Sequence, residues 1–248
     1  MSMSNEVDFA PVTLRDGREL TLRLATHRDT VAVAACHELP TKVQVPEAIC
    51  RAHFELKAAI FVSAPACGIV TGWVDEELAG FQFFSSGSRH LRRFLMTPRG
   101  WLLVAKRVLR PDRLFNPAFT ARSIRWGIQH LRTPRDYAEI PPELAEQLSE
   151  HYYGTMQTAP EYRRLGVGSA LHGATSNMLR LHGATEVCGW IPSDNVASLA
   201  LHEKAGCQLV AEAQRLGEKC WLFRQSLVEE PGNASHSADS TEGLVSGC

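Results

Sequence analysis

The strongest constraint on the fold is Thr158-Ala-Pro-Glu-Tyr-Arg-Arg-Leu-Gly-Val-Gly-Ser-Ala-Leu171, which reads as a strand end, a tight turn and the opening of an amphipathic helix. Val167, Ala170, Leu171, Ala174, Met178 and Leu181 recur at helical spacing and give that helix one apolar face. Arg163, Arg164 and two glycines two residues apart stand where the helix begins. A helix N-terminus offers unpaired N–H groups and a partial positive charge, so it suits a phosphate. Glycine lets the backbone approach an anion with no Cβ in the way. The spacing predicts a diphosphate cradle. The alternative is that Gly166 merely starts a helix and both arginines are solvated.

The rest of the composition narrows the class. A chain of 248 residues can bury one substantial core and still carry a tail or an insertion. With 44% hydrophobic residues, 21% charged residues and a net charge of −1, nothing global points to nucleic acid or a membrane. No basic stretch followed by a long apolar run opens the sequence, and no run approaches the ~20 apolar residues of a transmembrane helix. Seven scattered cysteines without a Cys-x-x-Cys predict reduced thiols, no zinc site and a cytoplasmic protein.

In chain order, residues 1–9 are expected to be flexible. Val12-Thr-Leu-Arg, Asp16-Gly17 and Glu19–Leu24 predict a hairpin. Two helices are expected at Thr30–His37 and Pro46–Ile60, then a second hairpin over Gly68–Phe84 with an acidic turn at Asp75-Glu-Glu77. Residues 85–148 predict a helical insertion. Between Leu78 and Pro111 there is no acidic residue, while Arg89, Arg92, Arg93, Arg99, Lys106, Arg107 and Arg110 all fall there. Trp101, Leu102, Ala105, Val108 and Leu109 share one helical face, so this basic amphipathic helix either packs on the domain or meets an anionic membrane or substrate. Further helices are expected at Ala118–Leu131 and Pro142–Leu148. In the strand feeding the loop, Glu150 and Tyr152 share one side and His151 and Tyr153 the other. Glu186–Ile191 is the next strand. Asn195 can cap the helix that follows, Cys207–Glu212 and Lys219–Arg224 form a last hairpin, and 229–248 is expected to be disordered.

Arg163-x-x-Gly166-x-Gly168 between a strand and a helix, then a second strand, then Asn195-Val-Ala-Ser-Leu-Ala-Leu-His-Glu-Lys-Ala-Gly206, together resemble the GNAT superfamily of acyl-CoA-dependent N-acetyltransferases. The resemblance covers roughly residues 150–225. It implies an α+β (mixed α/β) fold with a central mixed, mostly antiparallel sheet of about six to seven strands, flanking helices, and one domain over 10–228. It implies acetyl-CoA as co-substrate and no metal. Arg163, Arg164, Leu165, Gly166, Val167, Gly168 and Ser169 would hold the phosphates. Met156, Gln157 and Thr158 would pair with the pantetheine amides, with an N–H near the thioester oxygen. Asn195 and Lys204 would add contacts to the cofactor, and the two helices after the first strand would line the acceptor side.

The catalytic groups depart from the family pattern. Tyr152 stands where some members place a glutamate base, so Glu150 is the first candidate for that role and a water relay through His151 the second; the alternative makes them polar residues at a strand's wet end. His202 occupies the slot of a tyrosine that protonates the departing thiolate. It is expected to donate a hydrogen bond to sulfur or, when protonated, to act as the acid; otherwise it is a contact residue and Tyr152 or Tyr153 protonates the thiolate. Cys207 replaces an aromatic and looks like a packing change. The expected activity is acetyl transfer to a primary amine of a small molecule, an amino sugar or amine metabolite, by direct attack in a ternary complex. The competing readings are a CoA-binding sensor that has lost catalysis, and a transferase of longer acyl chains at a membrane or carrier protein. An oligomer is compatible with all three.

Overall fold

Alternation in Glu19-Leu-Thr-Leu-Arg-Leu24 puts Leu20 and Leu22 on one face, and both are buried. They belong to a sheet seen in a computed structural model that describes residues 7, 9–38, 46–108, 121, 140–215 and 218–228. The sheet has eight strands: β1 (Val12–Thr13), β2 (Glu19–Leu24), β3 (Cys67–Val74), β4 (Glu77–Ser85), β5 (Tyr152–Thr158), β6 (Glu186–Pro192), β7 (Gln208–Arg215) and β8 (Glu218–Ser226). Their spatial order is β1-β2-β3-β4-β5-β6-β8-β7. Every neighbouring pair is antiparallel except β5 and β6, which run parallel.

Seven helices are described: α1 (Thr30–Cys36), α2 (Glu47–Ser63), α3 (Ser88–Leu95), α4 (Pro98–Val108), α5 (Pro142–Gln147), α6 (Val167–Leu181) and α7 (Val196–Lys204). Asp29 fixes the start of α1, accepting from Arg23 twice at 2.8 Å and from the Thr26 N–H at 2.6 Å. The helices divide over the two faces of the sheet. On one, Val167, Leu171, Ala174 and Met178 of α6 pack against Leu20, Val70, Phe84 and Tyr153. On the other, Val33 of α1, Phe54, Leu56, Ile60 and Phe61 of α2, and Leu91 and Phe94 of α3 close over Phe81 and Phe83. Each Val, Leu, Ile, Phe or Met among them, fully buried, contributes roughly 1.5–3 kcal/mol.

Three expectations change. Leu181 was assigned to the apolar face of its helix, yet it is exposed. The face curves around Leu171 and also encloses His172, Thr175 and Ser176, where α6 meets β5 and β8. In α4 part of the predicted face is turned outward: Trp101 and Leu102 are exposed, Ala105 is half-buried, and Leu103 and Val104 pack inward. The cause is Gly100, which lies so close to α3 that a Cβ there would stand 2.2 Å from the Phe94 carbonyl oxygen. That contact sets the rotation of α4. Glu150 does not share the pleat of β5, which starts two residues later. The helix expected at 118–131, Leu109, Arg110, nearly all of residues 1–9 and the tail 229–248 lie outside the described residues.

Candidate active site

The ladder between β5 and β6 has a single registered pair, Tyr152 with Cys188. Beyond it the two parallel strands diverge, and among the described residues the β6-facing backbone edge of β5 from Gly154 to Thr158 has no strand partner. The other edge of β5 is paired to β4, with an irregularity opposite Phe83. Gly154 makes that irregularity sterically possible, because a Cβ there would lie 2.7 Å from Phe83 Cβ. Met156, Gln157 and Thr158 therefore occupy the open part of β5, where a ligand amide can add to the strand edge.

The open edge runs directly into the glycine loop. After a single turn of 3₁₀ helix at Pro160–Tyr162, Arg164 takes φ +65° and Gly166 φ +104°, and α6 begins at Val167. Among the described residues no side chain caps α6. The N–H groups of Val167, Gly168 and Ser169 are thus the unpaired amides of its first turn. Arg15 buttresses the loop from the β1–β2 turn, donating from its N–H to the Leu165 carbonyl at 3.1 Å and from Nη1 to the Arg164 carbonyl at 3.3 Å. Arg163 folds back onto the Glu38 carboxylate and the Thr158 carbonyl, whereas Arg164 is exposed beside the helix start. A Cβ at Gly168 would be 3.5 Å from Leu201 Cδ2, so α7 lies alongside the same helix terminus. Asn195 caps α7, its Oδ1 accepting from the Ser198 N–H at 3.0 Å, and its amide –NH₂ remains free to donate elsewhere. Lys204 is exposed in the last turn of α7, where a cation complements the helix C-terminus.

The catalytic candidates separate. Glu150 is paired with Arg89 at 2.9 Å and lies ahead of β5, which begins at Tyr152. The structure does not bring it to the open edge at Met156–Thr158. His151 is partly buried and its charged form is disfavoured, with burial the main cause. Tyr152 faces the α1–α2 side, where burial raises its phenol well above the usual range. Tyr153 faces α6, and its hydroxyl is held by Ser176 at 2.6 Å and Gln225 at 2.9 Å. It is not available to a thiolate.

His202 is corrected as well. It is buried between His172 and Phe223, with its Nδ1 2.8 Å from the Ser198 carbonyl. A carbonyl only accepts, so Nδ1 carries the proton and the neutral ring has no second N–H for sulfur. Burial also lowers the pKa, which disfavours the imidazolium. Cys207 is buried and its thiol is pushed up to about 12, in keeping with a packing role.

Three polar side chains around β5 and β6 were not anticipated. His37 stacks on Phe54 at 3.7 Å between ring centroids, and its Nδ1 donates to Gln157 Oε1 at 2.8 Å. Burial lowers its pKa to about 4, so the ring is neutral. Lys57, on α2, is buried with Nζ 2.9 Å from Thr155 Oγ1. Burial first, and the charge of Arg215 second, lower it to about 7. Arg215, at the end of β7, lies 5.9 Å from the Trp190 ring of β6. In sequence, the only hint at Lys57 is its position inside the dense apolar run Phe54–Phe61. Among the described residues no cluster of three or more His, Cys, Asp or Glu could hold a metal ion, and no helix is long and apolar enough to cross a membrane.

Residues 137–207, which include β5, the glycine loop, α6, β6 and all of α7, match the acetyltransferase (GNAT) family. No curated protein sequence matches the chain significantly. Among solved structures, one called SsHAT superposes with a TM-score of 0.57 at 17% identity, covering 85% of this chain and 99% of its own. An uncharacterised protein from Bacillus halodurans gives a TM-score of 0.50 at 13% identity, with coverages of 88% and 91%. The ribosomal-protein-S18-alanine N-acetyltransferase from Escherichia coli gives 0.49 at 11% identity, with 86% and 97% covered. The structural likeness is one of fold, and the family match falls on the split strands and the loop. The match to the acetyltransferase (GNAT) family thus rests on residues 137–207, and the fold around them is one that the solved structures share.

Proposed function

We propose that the protein transfers the acetyl group of acetyl-CoA to the primary amine of a small molecule by direct attack in a ternary complex. The observation that carries this reading is the single-rung pairing of β5 and β6, which opens a strand edge leading straight to the uncapped N-terminus of α6. The diphosphate sits on the amides of Leu165–Ser169, with Arg164 beside it. The pantetheine arm adds to the edge at Met156–Thr158, and Asn195 reaches it from α7. This directs the thioester toward the bulge at Gly154–Thr155, where a β5 N–H can stabilise the oxyanion.

The acceptor enters from the α1–α2 side, among His37, Phe54, Lys57 and Tyr152. Its neutral nitrogen attacks the thioester carbon, the carbonyl electrons move to oxygen, and collapse breaks the C–S bond. The proton leaving the attacking nitrogen passes to sulfur, directly or through water, to give the amide and the CoA thiol. This route needs no dedicated acid, consistent with a neutral, hydrogen-bonded His202 and an engaged Tyr153. Thiol release from acetyl-CoA, followed with a mixed panel of small primary amines and with mass spectrometry of the products, tests the reading. Acetylated product from any panel amine supports it; coenzyme A binding without turnover on any amine replaces it with a binding module.

A further inference from the structure

Lys57 is a long cation carried into the core. Only 8% of it is exposed, with Nζ 5.2 Å from the Phe54 ring centroid and 4.6 Å from that of Phe83. Its hydrogen-bonding partner is the Thr155 hydroxyl, and among the described residues no carboxylate pairs with it. Ring faces and a hydroxyl are weak compensation for an ammonium removed from water, which costs several kcal/mol when no counter-charge is present. Packing alone would favour Met or Leu here, as at its neighbours Leu56 and Ile60.

The position of the charge narrows its use. Thr155 lies next to Met156, on the strand whose open edge receives the thioester in the proposed function. Arg215 acts on Lys57 from β7 with a second positive charge. His37, just past the end of α1, faces the same space in its neutral form, with Gln157 and Tyr152 nearby. The cleft wall thus offers positive charge and hydrogen-bond donors, and among the described residues no acid acts on Lys57.

Resting on the acetyltransferase reading, we infer that Lys57 is an anion-binding residue of the acceptor site, and that the acceptor is an amine that also carries a carboxylate or phosphate-type group a few bonds away. The anion pairs with Nζ, supplies the missing counter-charge and turns the amine toward the bulge of β5. A neutral Lys57 serving instead as base for the acceptor would treat charged and uncharged amines alike. The two roles therefore separate by acceptor charge.

The test uses the full chain, acetyl-CoA and matched acceptors: α-amino acids, their carboxamides, aminoalkylphosphonates and simple alkylamines. Anionic acceptors should exceed their neutral counterparts in kcat/KM by about 10- to 100-fold, chiefly through KM, as one charge-assisted pair implies. Lys57→Met should abolish that ratio and Lys57→Arg should retain much of it. Carboxylates against phosphonates tell the two anion sources apart. Neutral amines as the better substrates, or a ratio that survives Lys57→Met, overturn the inference. Calorimetry keeps it testable apart from catalysis. Acetate and inorganic phosphate, titrated into the CoA-loaded protein at pH 8 in buffers of different ionisation enthalpy, should bind with proton uptake as Lys57 recharges. Failure of both to bind overturns the anion site, whereas binding without turnover of any amine overturns the acetyltransferase reading alone.

Discussion

Replacing Lys57 by Met tests the energetics of the cleft wall without a substrate. The folded pKa of about 7 lies below the ordinary 10.5. At ~1.4 kcal/mol for each pH unit, that separation amounts to a charging cost on the order of 5 kcal/mol. The sign follows from proton counting. Below about pH 7 both folded and unfolded chains hold the proton, and the folded protein carries the whole cost. Between about 7 and 10.5 the unfolded chain holds a proton that the folded one lacks, so stability rises with pH. Methionine has similar volume and no charge. The Lys57→Met protein should therefore be the more stable at pH 6–7, with an advantage that shrinks by roughly 1 kcal/mol for each pH unit as pH rises toward 9. Urea denaturation of both proteins at pH 6, 7, 8 and 9 measures this difference, and comparing the two cancels all other titrating groups. A difference that stays constant across that range refutes the reasoning.

Other substitutions probe separate parts of the account. Gly154→Ala places a Cβ 2.7 Å from Phe83 Cβ, an atom fixed to backbone, and should cost about 1–3 kcal/mol in thermal unfolding; an unchanged melting temperature contradicts the described bulge. Tyr153→Phe removes the hydroxyl shared by Ser176 and Gln225 and should cost about 1–3 kcal/mol while leaving the pH–rate profile unchanged. His202→Phe should lower stability by about 1 kcal/mol through loss of the Ser198 bond but leave the basic limb of the profile where it was; a displaced limb would restore it as an acid.

The parts legible in sequence are those whose chemistry is local. Gly166 and Gly168 at the head of an apolar helical face announce the loop, and Asn195 announces a helix start, because backbone conformation and capping are decided within a few residues. The split sheet is different. It depends on Tyr152 meeting Cys188 and nothing beyond it, and on β4 slipping at Phe83, pairings between residues far apart in the chain. Glu150 is a candidate base because Tyr152 takes the family's glutamate position and alternation puts Glu150 on the same side. Its pairing with Arg89, far away in the chain, is a tertiary contact that alternation does not show. Lys57 carries no sequence signal beyond the apolar run around it. Because α2 is packed on several sides, from Phe54 through Phe61, its side chain is enclosed and faces β5. Tertiary enclosure, not local pattern, makes it a buried amine.

The most direct measurement of the central claim is an amide NMR titration of the protein with coenzyme A and, separately, with pantetheine, which lacks the diphosphate. Coenzyme A should shift the N–H signals of Val167, Gly168 and Ser169 strongly, as well as those of Met156 and Thr158. Pantetheine should reach only the β5 signals. Saturating coenzyme A that leaves the 167–169 amides unmoved would contradict the cradle, and with it the transferase built on it.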